Sequence, residues 1–63
     1  MKTWYCVITS IYDDHTSANI VDTAEAETPP MSDYRATRRA DIYIDWFTLE
    51  EAERYIKKIR YAE

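Results

Sequence analysis

The 63-residue sequence has no glycine, one cysteine and one histidine, and each scarcity excludes a class of site. Without glycine the chain cannot form a glycine-rich phosphate loop, and any residue with positive φ must be Asn, Asp or His. A single cysteine, Cys6, excludes an intrachain disulfide. Cys6 and His15 alone cannot supply a Cys/His set for structural zinc. No metal or cofactor is therefore predicted.

Long apolar segments are also missing. No stretch approaches the ~18 apolar residues that a membrane span needs, and residues 1–10 lack the pattern of a secretory signal peptide. A lone cysteine is weakly typical of a reducing compartment. Together these features predict a cytoplasmic protein without membrane contact. The net charge of −4 disfavours general affinity for nucleic acid or anionic lipid.

The short length predicts a single domain over residues 1–63 that needs additional stabilisation. A chain of this size buries only about 60% of its unfolded surface. The sequence contains six Tyr, two Trp and one Phe, and aromatic side chains bury roughly 150–250 Å² each. Dense aromatic packing or association is therefore expected to replace the disulfides or metal of other small domains.

Three segments have the composition of β-strands. Residues 3–12 are rich in β-branched and aromatic side chains on both faces, which predicts a central strand covered on both sides. Residues 18–27 alternate and end in Ala and Glu, which is typical of an edge strand antiparallel to the first. Asp41–Phe47 is the third strand, and its Ile/Trp face is expected in the core, whereas its Asp/Tyr face is expected to meet water or a partner.

A C-terminal helix is the clearest local prediction. Thr48 and Glu51 have the spacing of a capping box, and apolar residues at helical spacing follow over residues 49–60. Residues 28–40 contain two prolines and no clear period, so they are predicted as a loop. The predicted fold is α+β: a small three-stranded, mainly antiparallel sheet in the order β-β-loop-β-α, with one C-terminal helix packed on one face. The third strand lies beside the first if the first is central, and beside the second in a simple meander.

Three groups invite a chemical interpretation, and each has a plainer one. Cys6 in an apolar strand is typical of a small buried hydrophobe. The Asp-Asp-His segment at residues 13–15 resembles metal ligands but is also what a glycine-free turn requires. Asp41 and Asp45 on one strand lie about 13 Å apart, too far for a glycosidase pair. No catalytic residue is predicted, and the protein is expected not to be an enzyme.

Surplus apolar surface is the main functional indication. The predicted helix is roughly 18 Å long and cannot cover both faces of the sheet. Some apolar surface, around Tyr5, Val7, Ile11 and Tyr43, is expected to remain for another protein surface. The leading prediction is a small non-enzymatic protein-interaction module that self-associates as a homodimer or docks on a protein partner.

A basic patch at residues 34–39 supports an alternative. Arginine and tyrosine can bind phosphate and stack on bases, which indicates a binder of nucleic acid or another phosphate ligand. The same residues can instead neutralise nearby acids, and both types are enriched at protein interfaces. The candidate partner-binding residues are Tyr5, Tyr43, Tyr34, Arg35, Arg38 and Arg39.

Overall fold

The computed structural model describes residues 1–61, with the side chains of residues 1–59. It forms one sheet of four strands, in the order β2-β1-β4-β3 with every pair antiparallel, and one helix. The α+β fold with an antiparallel sheet and a C-terminal helix is confirmed, but the prediction of three strands is wrong. The elements are β1 (Lys2–Ile11), β2 (Thr16–Ala26), β3 (Asp33–Ala36), β4 (Asp41–Phe47) and α1 (Leu49–Tyr61).

The additional strand, β3, lies within the segment predicted as a loop. It pairs with β4 from Asp33↔Ile44 to Ala36↔Asp41. All four of its residues are exposed, so no hydrophobic alternation marks them in the sequence. The β3–β4 turn is built by Thr37, whose N–H donates to the Ala40 carbonyl at 2.9 Å and whose Oγ1 accepts from the Ala40 N–H at 3.0 Å. The threonine hydroxyl thus closes this turn with local hydrogen bonds.

The apolar first strand is central, as predicted, and the strand Asp41–Phe47 lies beside it. Of the two arrangements that the sequence leaves open, the structure has the one with the first strand in the centre and not the simple meander. β2 is an edge strand, also as predicted, and a turn at residues 12–15 joins it to β1, with the Tyr12 N–H donating to the His15 carbonyl at 2.8 Å. No described residue has positive φ, so these turns need no glycine.

A β-bulge in β2 changes which side chains share a face. The pairing with β1 passes from Val7↔Ile20 to Cys6↔Asp22, so Val21 is the extra residue. Because side chains alternate along a strand, one inserted residue exchanges the two faces beyond it. Ile20 therefore lies on the face of Val7, and Asp22 lies on the face of Cys6.

The helix begins at the predicted capping box. The Thr48 N–H donates to Glu51 Oε1 at 3.2 Å, and the Glu51 N–H approaches Thr48 Oγ1 at 3.4 Å. Arg54 also donates to the Glu50 carboxylate at 2.8 Å, which is a favourable i,i+4 pair. No helix in the described part of the chain has the length and apolarity that a membrane crossing requires.

The helix packs on the face of the sheet that carries Val7. Small side chains meet there: Val7 and Ala52 are fully buried and Ala18 is nearly so. Larger side chains pack around this centre, namely Tyr5, Phe47, Tyr55, Ile56 and Ile59. The phenol of Tyr55 also shares a hydrogen bond of 3.0 Å with Thr9 Oγ1.

The position of the helix corrects the predicted use of the two faces. Phe47 belongs to the face of β4 that was expected to meet water or a partner, yet its ring lies 5.2 Å from that of Tyr55 in the helix. The Ile/Trp face of β4 is on the other side of the sheet. Alternation tells which residues share a face but not which face a helix covers, and here the helix covers the face with the smaller central side chains.

Candidate protein interface

The face of the sheet opposite the helix carries a continuous apolar centre. In antiparallel pairs, directly opposed residues share a face, and the pairs on this side are Cys6↔Trp46, Ile8↔Ile44 and Ser10↔Ile42. We call this surface the open face, because the helix packs on the other side of the sheet. Residues 27–32 join β2 to β3 at the opposite edge of the sheet and therefore cross β1 and β4. Its apolar centre consists of Trp4, Cys6, Ile8, Ile42, Ile44 and Trp46.

Some of these side chains shelter one another, and the others remain accessible. Trp4 is only 9% exposed, and its indole N–H donates to the Ala26 carbonyl at 3.0 Å, which holds the ring down over β2. Cys6 is buried between its neighbours. Ile8, Ile44 and Trp46 are partly exposed. The result is an apolar surface whose side chains are each buried or half-buried, with Ile44 near its middle.

Polar and charged side chains surround this centre. On β2 the open face carries Asn19 and Asp22, opposite Ile8 and Cys6. On β3 it carries Asp33 and Arg35, which form an ion pair of 3.8 Å. An uncharged centre with a polar rim is the usual anatomy of a protein–protein interface.

The overall shape shows how much surface this arrangement leaves accessible. The Cα trace measures 39 × 24 × 13 Å, and its radius of gyration is 12.1 Å, against about 10.6 Å for a compact domain of this length. The accessible surface is 4990 Å², against about 4,250 Å² for a compact monomer of 7.5 kDa. The molecule is therefore flat, and its total accessible surface exceeds that of a compact monomer of the same mass by about 700 Å².

Two of the predicted partner-binding residues, Tyr5 and Tyr43, lie on the helix face. Tyr5 is partly buried against the helix core. Tyr43 is 40% exposed, and its ring lies 4.9 Å from that of Tyr34 on the neighbouring strand. The Tyr34 hydroxyl donates to Asp41 Oδ1 at 3.2 Å, and the pKa of Tyr34 is raised, first by partial desolvation and then by the Asp41 charge. Tyr34 and Tyr43 thus form a local pair across the two neighbouring strands β3 and β4.

The predicted basic patch does not form one surface. Tyr34 and Arg35 are consecutive in β3 and point to opposite faces of the sheet. Arg38 and Arg39 lie in the turn after β3, where they line a polar cleft of about 120 Å³ that also includes the carboxylates Asp13 and Asp41. The structure therefore separates the four residues. Tyr34 contacts Tyr43, Arg35 pairs with Asp33, and Arg38 and Arg39 lie in the turn.

A second cleft, of about 250 Å³, lies between β4 and the helix. Its walls are apolar at Phe47 and Tyr55 and charged at Glu51, Arg54 and Lys58. Two of these charges already have partners, because Glu51 caps the helix and Arg54 pairs with Glu50. The cleft brings together no acid–base pair that is free for chemistry.

The two side chains with the most reactive groups, Cys6 and His15, are each surrounded by local contacts. Burial raises the pKa of the Cys6 thiol, and the charges of Asp22 and Asp45 raise it further, so the thiol form is favoured over the nucleophilic thiolate. His15 stacks on Tyr12 with ring centres 4.4 Å apart and lies 2.7 Å from Asp14 Oδ1. Among residues 1–61, no three His, Cys, Asp or Glu side chains cluster as metal ligands.

Sequence reasoning missed the open face as an interface, although the signal was present. Ile42, Ile44 and Trp46 occupy alternate positions of β4, which places them on one face. We expect such a face to be the core of a sheet protein, and only the position of the helix shows otherwise. No family model, curated protein or solved structure matches the chain.

Proposed function

We propose that the protein is a small, non-enzymatic protein-interaction module and that the open face is its docking surface. One observation carries this proposal: the two central strands present an uncharged apolar centre on the side away from the helix. Contiguous apolar surface rimmed by polar residues marks interaction sites in soluble proteins. A lone, buried cysteine supports the cytoplasm as the compartment, since free thiols persist in a reducing environment.

The type of side chain on the open face agrees with this role. Trp46 is partly exposed there, and tryptophan is a large, stiff side chain of the type that concentrates binding energy at interfaces. The expected partner surface is flat, apolar and uncharged at its centre.

The test compares two isoleucine-to-lysine variants on opposite faces of the sheet. Ile44→Lys places a charge in the middle of the open face. The matched control, Ile20→Lys, changes an isoleucine that is 39% exposed on the helix face of the edge strand, where a lysine amine can reach water. Tagged baits are mixed with an untagged copy and, separately, with extract of the native cell.

We expect wild-type and Ile20→Lys baits to retain the same protein, whether a second copy or another chain, and Ile44→Lys to lose it. Far-UV circular dichroism checks that each variant keeps its fold. If Ile44→Lys unfolds, Ile44→Thr provides a milder change that preserves β propensity. Equal retention by folded open-face variants and the control would refute the open face as the docking surface.

A second candidate function is favoured by the turn at residues 37–40. Arg38 and Arg39 line one polar cleft, and guanidinium groups bind phosphate with paired hydrogen bonds. We infer a site for a phosphate group or single-stranded nucleic acid there. Asp13 and Asp41 line the same cleft and offset the positive charge, so binding is expected only at low salt.

Salt titration of binding to single-stranded RNA tests this second candidate. Two phosphate contacts predict a slope of about −1.4 in a plot of log K against log salt. Replacing both arginines with alanine is expected to abolish binding, whereas Arg54→Ala, on the helix, is expected to leave it unchanged. No retention of the wild type at low salt would exclude this candidate and leave the docking proposal unaffected.

A further inference from the structure

The sheet ends in two edge strands, β2 on one side and β3 on the other. An edge strand presents backbone N–H and C=O groups to which a strand of another chain can add. In an antiparallel ladder, successive residues direct these groups alternately toward the neighbouring strand and away from it. The Thr37 N–H points to the β4 side of its strand, because it donates to the Ala40 carbonyl at 2.9 Å. The N–H of Tyr34, an odd number of residues earlier, therefore points outward.

An aspartate side chain already holds this outward N–H. Asp33 Oδ1 accepts from the Tyr34 N–H at 2.8 Å, so a strand that added to β3 would have to displace the carboxylate. The side chain of Asp33 is exposed, and its one ion pair in the described residues is the 3.8 Å contact with Arg35. An added strand would therefore also have to remove water from a charged group, which is costly without a new partner.

The edge strand on the opposite side of the sheet repeats the contact. On β2 the Thr23 N–H donates to Asp22 Oδ1, also at 2.8 Å. The Tyr12 N–H points toward β2, because it donates to the His15 carbonyl. Tyr5, an odd number of residues before Tyr12, therefore points away from β2, and Thr23, which lies opposite Tyr5, points outward. In both edge strands an aspartate thus holds the outward N–H of the residue that follows it.

We propose that Asp22 and Asp33 are edge guards: each carboxylate occupies an outward N–H and so keeps another strand from adding to the sheet. The guard matters most on β3, where only Tyr34 and Ala36 of the four strand residues direct their N–H outward. The ladder of β3 is regular, whereas β2 also has a bulge at Val21, which is a second protection of an edge. The guards leave the faces of the sheet, and not its edges, for contact with other proteins.

The experiment removes the guard of β3 and compares it with two matched variants. Asp33→Ala removes the charge and the acceptor, Asp33→Asn removes the charge but keeps an acceptor oxygen, and Asp13→Ala removes the same charge from an exposed turn. Light scattering in reducing buffer, from micromolar to millimolar protein, gives the mass of each. Hydrogen exchange of the Tyr34 amide, followed by NMR, reports on the edge itself. Circular dichroism checks that each variant is folded, and Asp22→Ala repeats the test on β2.

We expect Asp33→Ala to reach at least about twice the average mass of the wild type at millimolar concentration, because its edge accepts a second strand. Its Tyr34 amide should exchange faster than in the wild type when dilute and more slowly as the mass rises. Asp33→Asn and Asp13→Ala should keep the mass of the wild type. Asp22→Ala should show a smaller increase, since the bulge remains.

Three results would overturn the proposal. Equal masses for Asp33→Ala and the wild type, with an unchanged Tyr34 amide, would show that the carboxylate blocks nothing. Association of Asp33→Asn as strong as that of Asp33→Ala would assign the protection to charge and not to the occupied N–H. Association of Asp13→Ala would assign it to the net charge of the whole molecule. None of these results bears on the open face, which the Ile44 variants test separately.

Discussion

Replacing Tyr55 with phenylalanine tests the polar link that positions the helix on the sheet. Thr9 is 1% exposed, and its Oγ1 lies 3.0 Å from the Tyr55 hydroxyl. Tyr55→Phe removes one partner and leaves a buried hydroxyl without this hydrogen bond. An unsatisfied buried polar group costs about 1–3 kcal/mol, so we expect the free energy of unfolding to fall by about 2 kcal/mol.

The reverse change is expected to cost less. Thr9→Val removes the buried hydroxyl and leaves the Tyr55 hydroxyl, which belongs to a partly exposed side chain that water can reach. A loss of about 1 kcal/mol or less is expected. In the double variant both polar partners are replaced by apolar groups, which is often nearly neutral. The double variant should therefore be more stable than Tyr55→Phe alone, with a coupling energy of about 1–2 kcal/mol.

Urea unfolding of the four proteins, followed by circular dichroism at low micromolar concentration, measures this cycle. Low concentration matters because self-association adds to the apparent stability of the folded state. In a domain this small, 2 kcal/mol corresponds to a change in melting temperature of about 8–16 °C. Additive single effects, or a Tyr55→Phe cost below about 0.5 kcal/mol, would refute the buried hydrogen bond as a coupled pair.

Three further predictions concern the helix start, the core and the thiol. Thr48→Ala is expected to cost about 1 kcal/mol in thermal unfolding. Hydrogen bonds from Thr48 lower the pKa of Glu51 below its usual 4.5. The wild type should therefore lose stability as the pH falls through that lowered pKa, whereas Glu51→Gln should lose less. Val7→Ala, at a fully buried position, is expected to cost about 2–3 kcal/mol in urea unfolding from lost burial and a residual cavity; a smaller cost would mean that the core collapses around it. Cys6 should react with a thiol reagent at least 100-fold more slowly in the native protein than in urea, because the buried thiol has a raised pKa; equal absorbance kinetics in both states would contradict its burial.

The elements that could be predicted are those with signals in a few neighbouring residues. The capping residues Thr48 and Glu51 place the start of the helix, and the helical spacing of Ala52 and Tyr55 places its buried stripe. The strand Asp41–Phe47 agrees with its prediction at both ends. In each case local propensity and burial favour the same structure, and the prediction needs no knowledge of the rest of the chain.

β3 could not be predicted, because its four residues are exposed and the hydrogen bonds that hold it come from β4 and from the turn that follows it. A ladder to β4 and the hydrogen bonds of Thr37 hold it in place, and neither leaves a hydrophobic period in the sequence. The bulge at Val21 is equally hidden, since an inserted residue in an edge strand changes no composition. Both features depend on a neighbouring strand.

The candidate interface stays a prediction, and the structure adds a second apolar face to the one that the sequence indicates. Counting apolar residues against one short helix indicates a surface left for a partner. Assigning that surface to the side of Tyr5 and Tyr43 assumes that the helix covers the more apolar face. In the structure the helix packs on the side of Tyr5 and Tyr43, yet Ile11 and Tyr43 stay 41% and 40% exposed on that side, and the apolar face around Ile44 and Trp46 lies opposite.

Side-chain size explains why the helix lies on the less apolar face. A helix approaches a sheet closely where the central side chains are small, and Val7 and Ala18 allow Ala52 to become fully buried. The indoles of Trp4 and Trp46 on the opposite face would hold a 13-residue helix away from the sheet and leave gaps beside it. If hydrophobicity alone decided the packing, the helix would cover the tryptophans; because shape decides it, the face that carries both tryptophans lies on the other side of the sheet.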